Sequence, residues 1–448
     1  MSTIAFHTLG CKVNSYETEA IWQLFKQAGY EKVEFEQKAD VYLINTCTVT
    51  NTGDKKSRQV IRRAIRKNPD AVIVVTGCYA QTSPAEVAAI PGVDVVVGTQ
   101  GRDQLVGYVE QFRRERQPIQ AVGNIMKQRE FEELDVPAFA DRTRASLKIQ
   151  EGCNNFCTFC IIPWAKGLSR SRKPENVLTQ ARQLVEAGYK EIVLTGIHTG
   201  GYGDDFEDYK LADLLWDLDQ VEGLNRIRIS SIEASQIDER VIEVLNASDK
   251  MCRHLHIPLQ AGDDAVLKRM RRKYTVAEYK DTILRLHEAM PHVAITTDVI
   301  VGFPGETDEQ FEAGYRFIEE LNMYQLHVFP YSKRTGTPAA RMDDQIPDEI
   351  KHERVQRLIE LSNRLTFNYA EKFVGEVLEV IPERPYKEDP QSGLYMGYSD
   401  NYLQVVFPAT EDLIGKVCRV RLDQAGVEYN HGTFVRVVDD VPRPATAS

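Results

Sequence analysis

The sequence predicts an α/β protein in three parts: an N-terminal parallel-sheet α/β domain over 1–118, a central partial (β/α)6 barrel over 141–373, and a small C-terminal antiparallel β-barrel over 374–440. Three observations predict it. Apolar β-branched runs alternate with helical periodicity through the first third, the pattern of a parallel sheet covered by helices. The same alternation restarts near residue 146 and gives six further strand-helix units. Past residue 374 it yields to five short β-branched and aromatic runs separated by turns. A chain of 448 residues also exceeds what one hydrophobic core usually supports.

In chain order, Ile4, Phe6 and Thr8 mark a strand, followed by a helix from about Ser15 to Ala28 and a strand at Val41 to Asn45. A helix from Asp54 to Lys67, strands at Ala71 to Thr76 and Val93 to Val97, and a helix from Arg102 to Arg113 complete the first part. Residues 119–140, with Pro118 just before and Pro137 within, have weak periodicity and mixed charge and read as a linker. Central strands are expected near 146–150, 191–197, 224–232, 253–258, 293–302 and 324–329, with chemistry at their carboxyl ends. A helix from Pro347 to Lys372 closes this part. The last strands are Val377 to Ile381, Leu394 to Tyr398, Tyr402 to Phe407, Lys416 to Leu422 and Thr433 to Val437, with Ser399-Asp400-Asn401 as a hairpin turn. Residues 441–448, ending in Ala445-Thr446-Ala447-Ser448, read as a disordered tail.

Composition is that of an ordinary globular protein, 42% hydrophobic and 27% charged. No run of about 18 apolar residues is present, and the first residues lack a cationic then apolar leader, so a soluble, cytoplasmic protein without a membrane partner is expected. Eight cysteines are too sparse for a disulfide scaffold and suit metal ligation or catalysis in a reducing compartment. The net charge of −11 excludes a basic nucleic-acid coat but leaves local patches open. Lys55, Lys56, Arg58, Arg62, Arg63, Arg66 and Lys67 form one basic run, and Lys268, Arg269, Arg271, Arg272 and Lys273 another. Each is either a phosphate-binding face or a solvated helix face.

The chemistry concentrates in Gly152-Cys153-Asn154-Asn155-Phe156-Cys157-Thr158-Phe159-Cys160, directly after the first central strand. A 4Fe–4S cube takes one thiolate per iron, so a C-x3-C-x2-C loop wraps three corners and leaves one iron open for a chelating small molecule. A zinc knuckle or a buried disulfide is the alternative, although zinc sites favour paired CxxC or Cys/His spacings. Cys11, Cys47 and Cys78 each follow one of the first three N-terminal strands. Carboxyl ends of parallel strands share one edge, so these distant thiols would meet there. They are either a second three-thiolate cluster or three unrelated core cysteines.

The C-x3-C-x2-C loop resembles that of the radical S-adenosylmethionine (SAM) superfamily. Together with Leu9-Gly10-Cys11-Lys12-Val13-Asn14, Asn45-Thr46-Cys47-Thr48-Val49-Thr50 and Thr76-Gly77-Cys78-Tyr79-Ala80, it resembles the methylthiotransferase branch over nearly the full length. The forms around Cys11 and Cys47 are most similar to enzymes acting on N6-threonylcarbamoyladenosine at position 37 of tRNA. They are less similar to those acting on isopentenyladenosine or on a ribosomal protein aspartate. The resemblance implies a radical-SAM barrel with Cys153, Cys157 and Cys160 on a catalytic 4Fe–4S cluster and Cys11, Cys47 and Cys78 on a second. It also implies cleavage of SAM to a 5′-deoxyadenosyl radical, sulfur from the second cluster and a methyl group from a second SAM. Phe159 fits the aromatic position beside the cofactor. Gly200 and Gly201, with Gly196 and Gly203, would approach the methionyl part; Ser231 and Glu233, with Ser230, would meet the ribose. Gly302, in Val299-Ile300-Val301-Gly302-Phe303-Pro304-Gly305-Glu306, matches the adenine-side motif, whose first Gly position is here Asp298.

The C-terminal part resembles the TRAM RNA-binding barrel, with Tyr395, Tyr398, Tyr402, Arg419, Arg421 and Arg436 as candidate RNA contacts. The implied partners are the tRNA anticodon loop, an external electron donor such as flavodoxin or ferredoxin, and a sulfur donor. His256 and His327 fall near strand ends without an assigned role, and Cys252 and Cys418 read as buried structural thiols. A non-catalytic Fe–S module for RNA binding or electron transfer is the rival of a different class.

Overall fold

The computed structural model describes residues 2–134, 136 and 143–439. Strands β1 (Thr3–Thr8), β2 (Glu31–Val33), β3 (Val41–Thr46), β4 (Val72–Gly77), β5 (Val95–Val97) and β6 (Ile119–Ala121) form one parallel sheet in the order β2-β1-β3-β4-β5-β6. β3 and β4 are buried at every residue, as continuous Val/Ile/Leu runs must be when helices cover both faces. Helices α1 (Lys12–Gln27) and α5 (Leu105–Glu115) bring Ile21, Phe25, Leu105 and Val109 onto one face. Helix α2 (Asn51–Lys67) brings Ile61 and Ala64 onto the other, and the short α3 (Cys78–Thr82) and α4 (Pro84–Ala88) follow β4. Each fully buried side chain such as Phe25 or Ile61 contributes about 1.5–3 kcal/mol.

The sheet reaches into the stretch expected to be a linker. Ile119–Ala121 pairs with β5, and Glu132 and Glu133 reach the buried Arg102 (2.5 Å) and Arg172 (2.7 Å). A three-residue strand is too short to display a period, and acids that read as solvated linker are there because buried guanidinium groups need partners. Residues from Pro137 to Ala140 and the expected tail lie outside the described residues.

β7 (Arg144–Lys148) runs into β8 (Gln150–Glu151), which pairs antiparallel with β9 (Arg170–Ser171) and closes a loop carrying α6 (Ile162–Lys166). β7, β10 (Glu191–Thr195) and β11 (Arg226–Ile229) form one parallel sheet; β12 (His254–His256), β13 (Ala294–Val301) and β14 (Gln325–Pro330) form another. An Ile227–Met251 bridge and the Ile232 N–H donating to His256 O (3.0 Å) join them into an open half-barrel of six strands in chain order. Helices α7 (Pro174–Glu186), α8 (Leu211–Asp219), α9 (Glu239–Ala247), α10 (Asp264–Met270), α11 (Val276–Ala289), α12 (Asp308–Leu321) and α13 (Asp348–Glu371) pack on its outside. Capping boxes at Thr275 and Thr307 fix the starts of α11 and α12.

β15 (Val377–Pro385), β16 (Leu394–Ser399), β17 (Gln404–Pro408), β18 (Val417–Gln424) and β19 (Asn430–Asp439) close a barrel. It is antiparallel except where β17 and β19 pair in parallel, through Val405–Asn430 and Val406–His431. This barrel packs on the amino ends of the central strands. Arg226 donates to Glu379 O (2.7 Å) and Arg228 to Ser399 O (3.1 Å), while Tyr402 stacks on His254 with centroids 4.3 Å apart. Tyr398 and Tyr402, expected to stack on bases, instead lie under Arg144 and Arg228 in this interface. Arg419 and Arg421 are likewise paired, with Glu379 and Asp423.

Glu191, wholly buried, anchors the interface. Burial pushes its carboxyl up, but Arg228, Arg144 and Arg226 outweigh that and hold it at about 2. A depressed carboxylate stabilises the fold fully above its ordinary value of 4.5 and loses that contribution as pH falls toward 2. Glu191→Gln, which leaves three buried guanidinium groups short of a partner, is expected to cost about 3–5 kcal/mol, measured by denaturant unfolding at pH 7. The gap between variant and parent should shrink between pH 5 and pH 3.

Candidate cofactor and catalytic site

The loop after β8 is held open by its backbone. Gly152 has φ +75°, and a Cβ there would lie 2.0 Å from Leu168 O, so only glycine fits. Cys153 N–H donates to Gly167 O (3.0 Å), Thr158 N–H to Met270 O (3.0 Å), and Ala339 N–H to Thr158 O (2.9 Å), which ties the loop to α10 and to the segment after β14. Burial, reinforced by neighbouring thiols of the same loop, pushes the Cys153 thiol up to about 11 and the Cys160 thiol up to about 12. Such thiols become thiolates only with strong positive charge at hand. Arg272 supplies part of it by donating to Cys157 Sγ (3.3 Å), and the Asn155 N–H approaches Cys153 Sγ at 3.5 Å. Among the described residues no three His, Cys, Asp or Glu side chains are placed to share a single ion. A cube puts each thiolate on a different iron, and sulfur-directed donors suit it, so the loop's donor set fits such a group.

Beside the loop, at the carboxyl ends of β10 to β12, lies a cleft of about 100 Å³ lined by His198, Thr199, Ser231, Glu233, Gln260 and Arg272 among others. Glu233 accepts from Asn155 Nδ2 (2.9 Å) and pairs with Arg272 (2.9 Å), so the cleft wall and the cysteine loop are one hydrogen-bonded unit. Ser231 and Glu233 both line this cleft, just past the end of β11. Gly200 and Gly201 sit one layer behind: Cβ atoms there would meet Gln236 Oε1 at 2.2 Å and His198 Cδ2 at 2.6 Å. Their smallness lets His198 and Gln236 pack and bond at 2.6 Å. Phe159 packs on Phe303 (6.4 Å) and is not among the residues lining the cleft. At Gly302 (φ +68°) a Cβ would lie 2.3 Å from Lys351 Cγ, in α13. Gln260, His198 and Arg272 escaped the sequence reading as site residues. Arg272 read as part of a surface basic run, yet it is inserted between Cys157, Glu233 and Tyr274.

Cys11, Cys47 and Cys78 come together at the carboxyl edge of the first sheet. Cys11 occupies the N-cap of α1 without a capping bond, and its thiol donates to Asn14 Oδ1 (3.9 Å) in the first turn. At Gly10 (φ +112°) a Cβ would lie 3.3 Å from Cys47 Sγ. Asn14 Nδ2 donates to Leu9 O (2.7 Å) and Thr46 O (3.1 Å), Asn45 Nδ2 to Asn14 O (3.0 Å), and Ser57 Oγ to Cys47 O (3.2 Å), so asparagine and serine side chains stitch the loops together. Burial drives Cys47 and Cys78 up, and Cys11 pushes both further.

Two buried contacts turn this edge toward the half-barrel. Arg334, after β14, donates to Thr48 Oγ1 (2.6 Å) and Asn51 Oδ1 (2.8 Å) and pairs with Asp54 (2.8 Å). Glu17, in α1, bonds Arg102 (2.6 Å), Lys148 (3.0 Å) and Lys166 (2.7 Å).

Residues 147–318 match the Radical SAM superfamily, and residues 3–98 match a family described as Uncharacterized protein family UPF0004. Over 441 residues the chain is 68% identical to the threonylcarbamoyladenosine tRNA methylthiotransferase MtaB of Bacillus subtilis (strain 168), covering 98% of each. The chain belongs to the radical SAM tRNA methylthiotransferase family. A tRNA-2-methylthio-N(6)-dimethylallyladenosine synthase of Carboxydothermus hydrogenoformans is 35% identical over 440 residues, 96% of this chain and 98% of that one. The radical SAM methyltransferase TsrM from Kitasatospora setae superposes with a TM-score of 0.57 at 15% identity, covering 85% of this chain and 81% of that one, a likeness of fold alone. Membership implies SAM and a 4Fe–4S cluster.

In this methylthiotransferase Gly77 (φ +94°) sits between the Cys47 and Cys78 loops, where a Cβ would lie 2.3 Å from Asn45 Oδ1 and 2.6 Å from Thr46 O. Gly77→Ala should cost about 1–3 kcal/mol of stability. It should also raise the alkylation rate of Cys78 in the metal-free protein while leaving Cys252 protected, read by mass spectrometry of labelled peptides.

Proposed function

We propose that this methylthiotransferase adds a methylthio group to C2 of N6-threonylcarbamoyladenosine in the anticodon loop of tRNA, using two molecules of SAM. The observation that carries the reading is the pairing of two cysteine trios on opposed strand edges, beside a polar cleft joined to one of them. Near-full-length identity of 68% to a relative named for threonylcarbamoyladenosine, against 35% for one named for dimethylallyladenosine, supports this nucleoside over its sibling.

Cys153, Cys157 and Cys160 would hold the 4Fe–4S cluster, and Cys11, Cys47 and Cys78 a second. When bound, the first supplies the electron that splits SAM into methionine and a 5′-deoxyadenosyl radical, which can break the unactivated C–H bond that acid–base groups cannot. The chain's own residues position and shield. Glu233, fixed by Asn155 and Arg272, presents a carboxylate to the cleft that suits ribose hydroxyls, with Ser231 beside it. Arg272 joins this carboxylate to Cys157, so cofactor contact and ligand loop are oriented together. Arg334 and Glu17 hold the second trio against the first. A reduced flavodoxin or ferredoxin and a sulfur donor complete turnover, and the cytoplasm, which holds tRNA and keeps thiols reduced, is the proposed location.

Anaerobically reconstituted protein with SAM, reductant and hypomodified tRNA should yield 2-methylthio-threonylcarbamoyladenosine by mass spectrometry of digested tRNA. Product on isopentenyladenosine instead would overturn the substrate. Cys157→Ala should lose 5′-deoxyadenosine to background, whereas Cys47→Ala should retain its formation and lose methylthiolated product. Equal 5′-deoxyadenosine from parent and Cys157→Ala would refute the role given to the loop.

A further inference from the structure

Cleavage of SAM and transfer of sulfur do not by themselves tell one N6-substituted adenosine from another. In adenine, C2 and C6 flank N1. A base that offers C2 to the second cysteine trio therefore carries its N6 substituent to the same edge, and the side chains there meet whatever hangs from N6. A threonylcarbamoyl group brings a carboxylate, whereas an isopentenyl group brings only carbon and hydrogen. The difference to be read at that edge is one of charge. A site built to pair with a polar group rejects an analogue that lacks it far better than an apolar pocket rejects an extra group.

Lys12 stands at that edge. It follows Cys11 directly, is the first residue of α1, and is exposed beside an exposed thiol. A cation at the first helical position opposes the helix dipole, and the first turn of α1 has no acidic residue to offset it. Other cations bordering the space between the trios have buried side chains bonded to protein acids: Arg272 to Glu233 (2.9 Å), Arg334 to Asp54 (2.8 Å) and Lys166 to Glu17 (2.7 Å). Lys12 differs from them in being reachable from solvent. Its edge is pinned against the half-barrel, since Asn51 Nδ2, on the neighbouring Cys47 loop, donates to Lys333 O (2.8 Å). The charge of Lys12 is accordingly felt across the gap. Burial does most to hold His254 and His327 below their ordinary value; Arg228 and His256 add to this at His254, His256 adds at His327, and Lys12 adds at both. On the Cys47 loop Val49 is 51% exposed and gives the same edge an apolar surface, which suits the methyl group of a threonyl side chain. An ammonium on a flexible four-carbon stem suits a carboxylate carried on a rotatable substituent.

We propose that Lys12 is a specificity-determining residue, its ammonium receiving the threonyl carboxylate of the N6 substituent while C2 lies at the second trio. The proposal rests on the nucleoside reading given above. Reconstituted enzyme with SAM and reductant is given an anticodon stem-loop carrying threonylcarbamoyladenosine, or the same RNA with the threonyl carboxylate converted to the neutral carboxamide. The kcat/KM for methylthiolated product is read by mass spectrometry, and Kd for each RNA by fluorescence anisotropy. The parent should prefer the carboxylate about ten- to hundred-fold, the range of a hydrogen bond to a charged group. Lys12→Gln should bring that ratio to about one, Lys12→Glu should invert it, and Lys12→Arg should keep most of it. A merely structural role would weaken both RNAs alike, so a parental ratio retained in Lys12→Gln overturns the proposal. Equal use of the two RNAs by the parent also overturns it and leaves the nucleoside reading standing. Product from isopentenyladenosine RNA alone overturns the nucleoside reading and the proposal with it.

Discussion

Glu17 is the group on which the arrangement of this molecule turns. It is completely buried, six residues after Cys11, and bonded to cations from three other segments: Arg102, Lys148 and Lys166. Burial alone would push its carboxyl up; the three cations hold it well below the usual range. An ion left in such a place without partners costs several kcal/mol, so the network forms whole or the interface does not close. Glu132 and Glu151 bring the acids to three against three cations. The first sheet, the first central strand and the helix after the cysteine loop are thereby fixed to one another. Lys166 belongs to the same network and is the largest charge opposing the upward push on Cys78.

The fold was legible because parallel sheets announce themselves. Strands such as Val41–Thr46 and Val72–Gly77 are buried on both sides and so read as unbroken apolar runs, and each of the six central strands overlaps the stretch expected for it. Signals failed where an element is short or its role is set by a distant partner. Ile119–Ala121 has too few residues to show a period, and its strand character comes from β5. The parallel pairing of β17 with β19 depends on barrel closure, which no local pattern records.

Within the candidate site, the cysteines and the strand-end acid Glu233 could be singled out because their positions at strand ends follow from chain order. Arg272 could not, because an arginine in a basic run looks solvated until the fold inserts it beside a thiol. Gly200, Gly201 and Gly302 mark close approach, as glycines do, but of protein to protein: Gln236, His198 and Lys351 occupy the space their missing side chains leave. Tyr398 and Tyr402 illustrate the same ambiguity from the other side. Aromatic residues beside arginines suit RNA, and they equally suit an interface in which the arginines come from the neighbouring domain.

That interface has a consequence for traffic. Tyr402 lies flat on His254 at the foot of β12, with Arg228 over its other neighbourhood and Glu191 buried close by, so the C-terminal barrel stoppers the amino end of the strands. The half-barrel is a cup and not a pipe. Whatever reaches its interior enters at the rim or through the unpaired side of β14, and has to leave the same way.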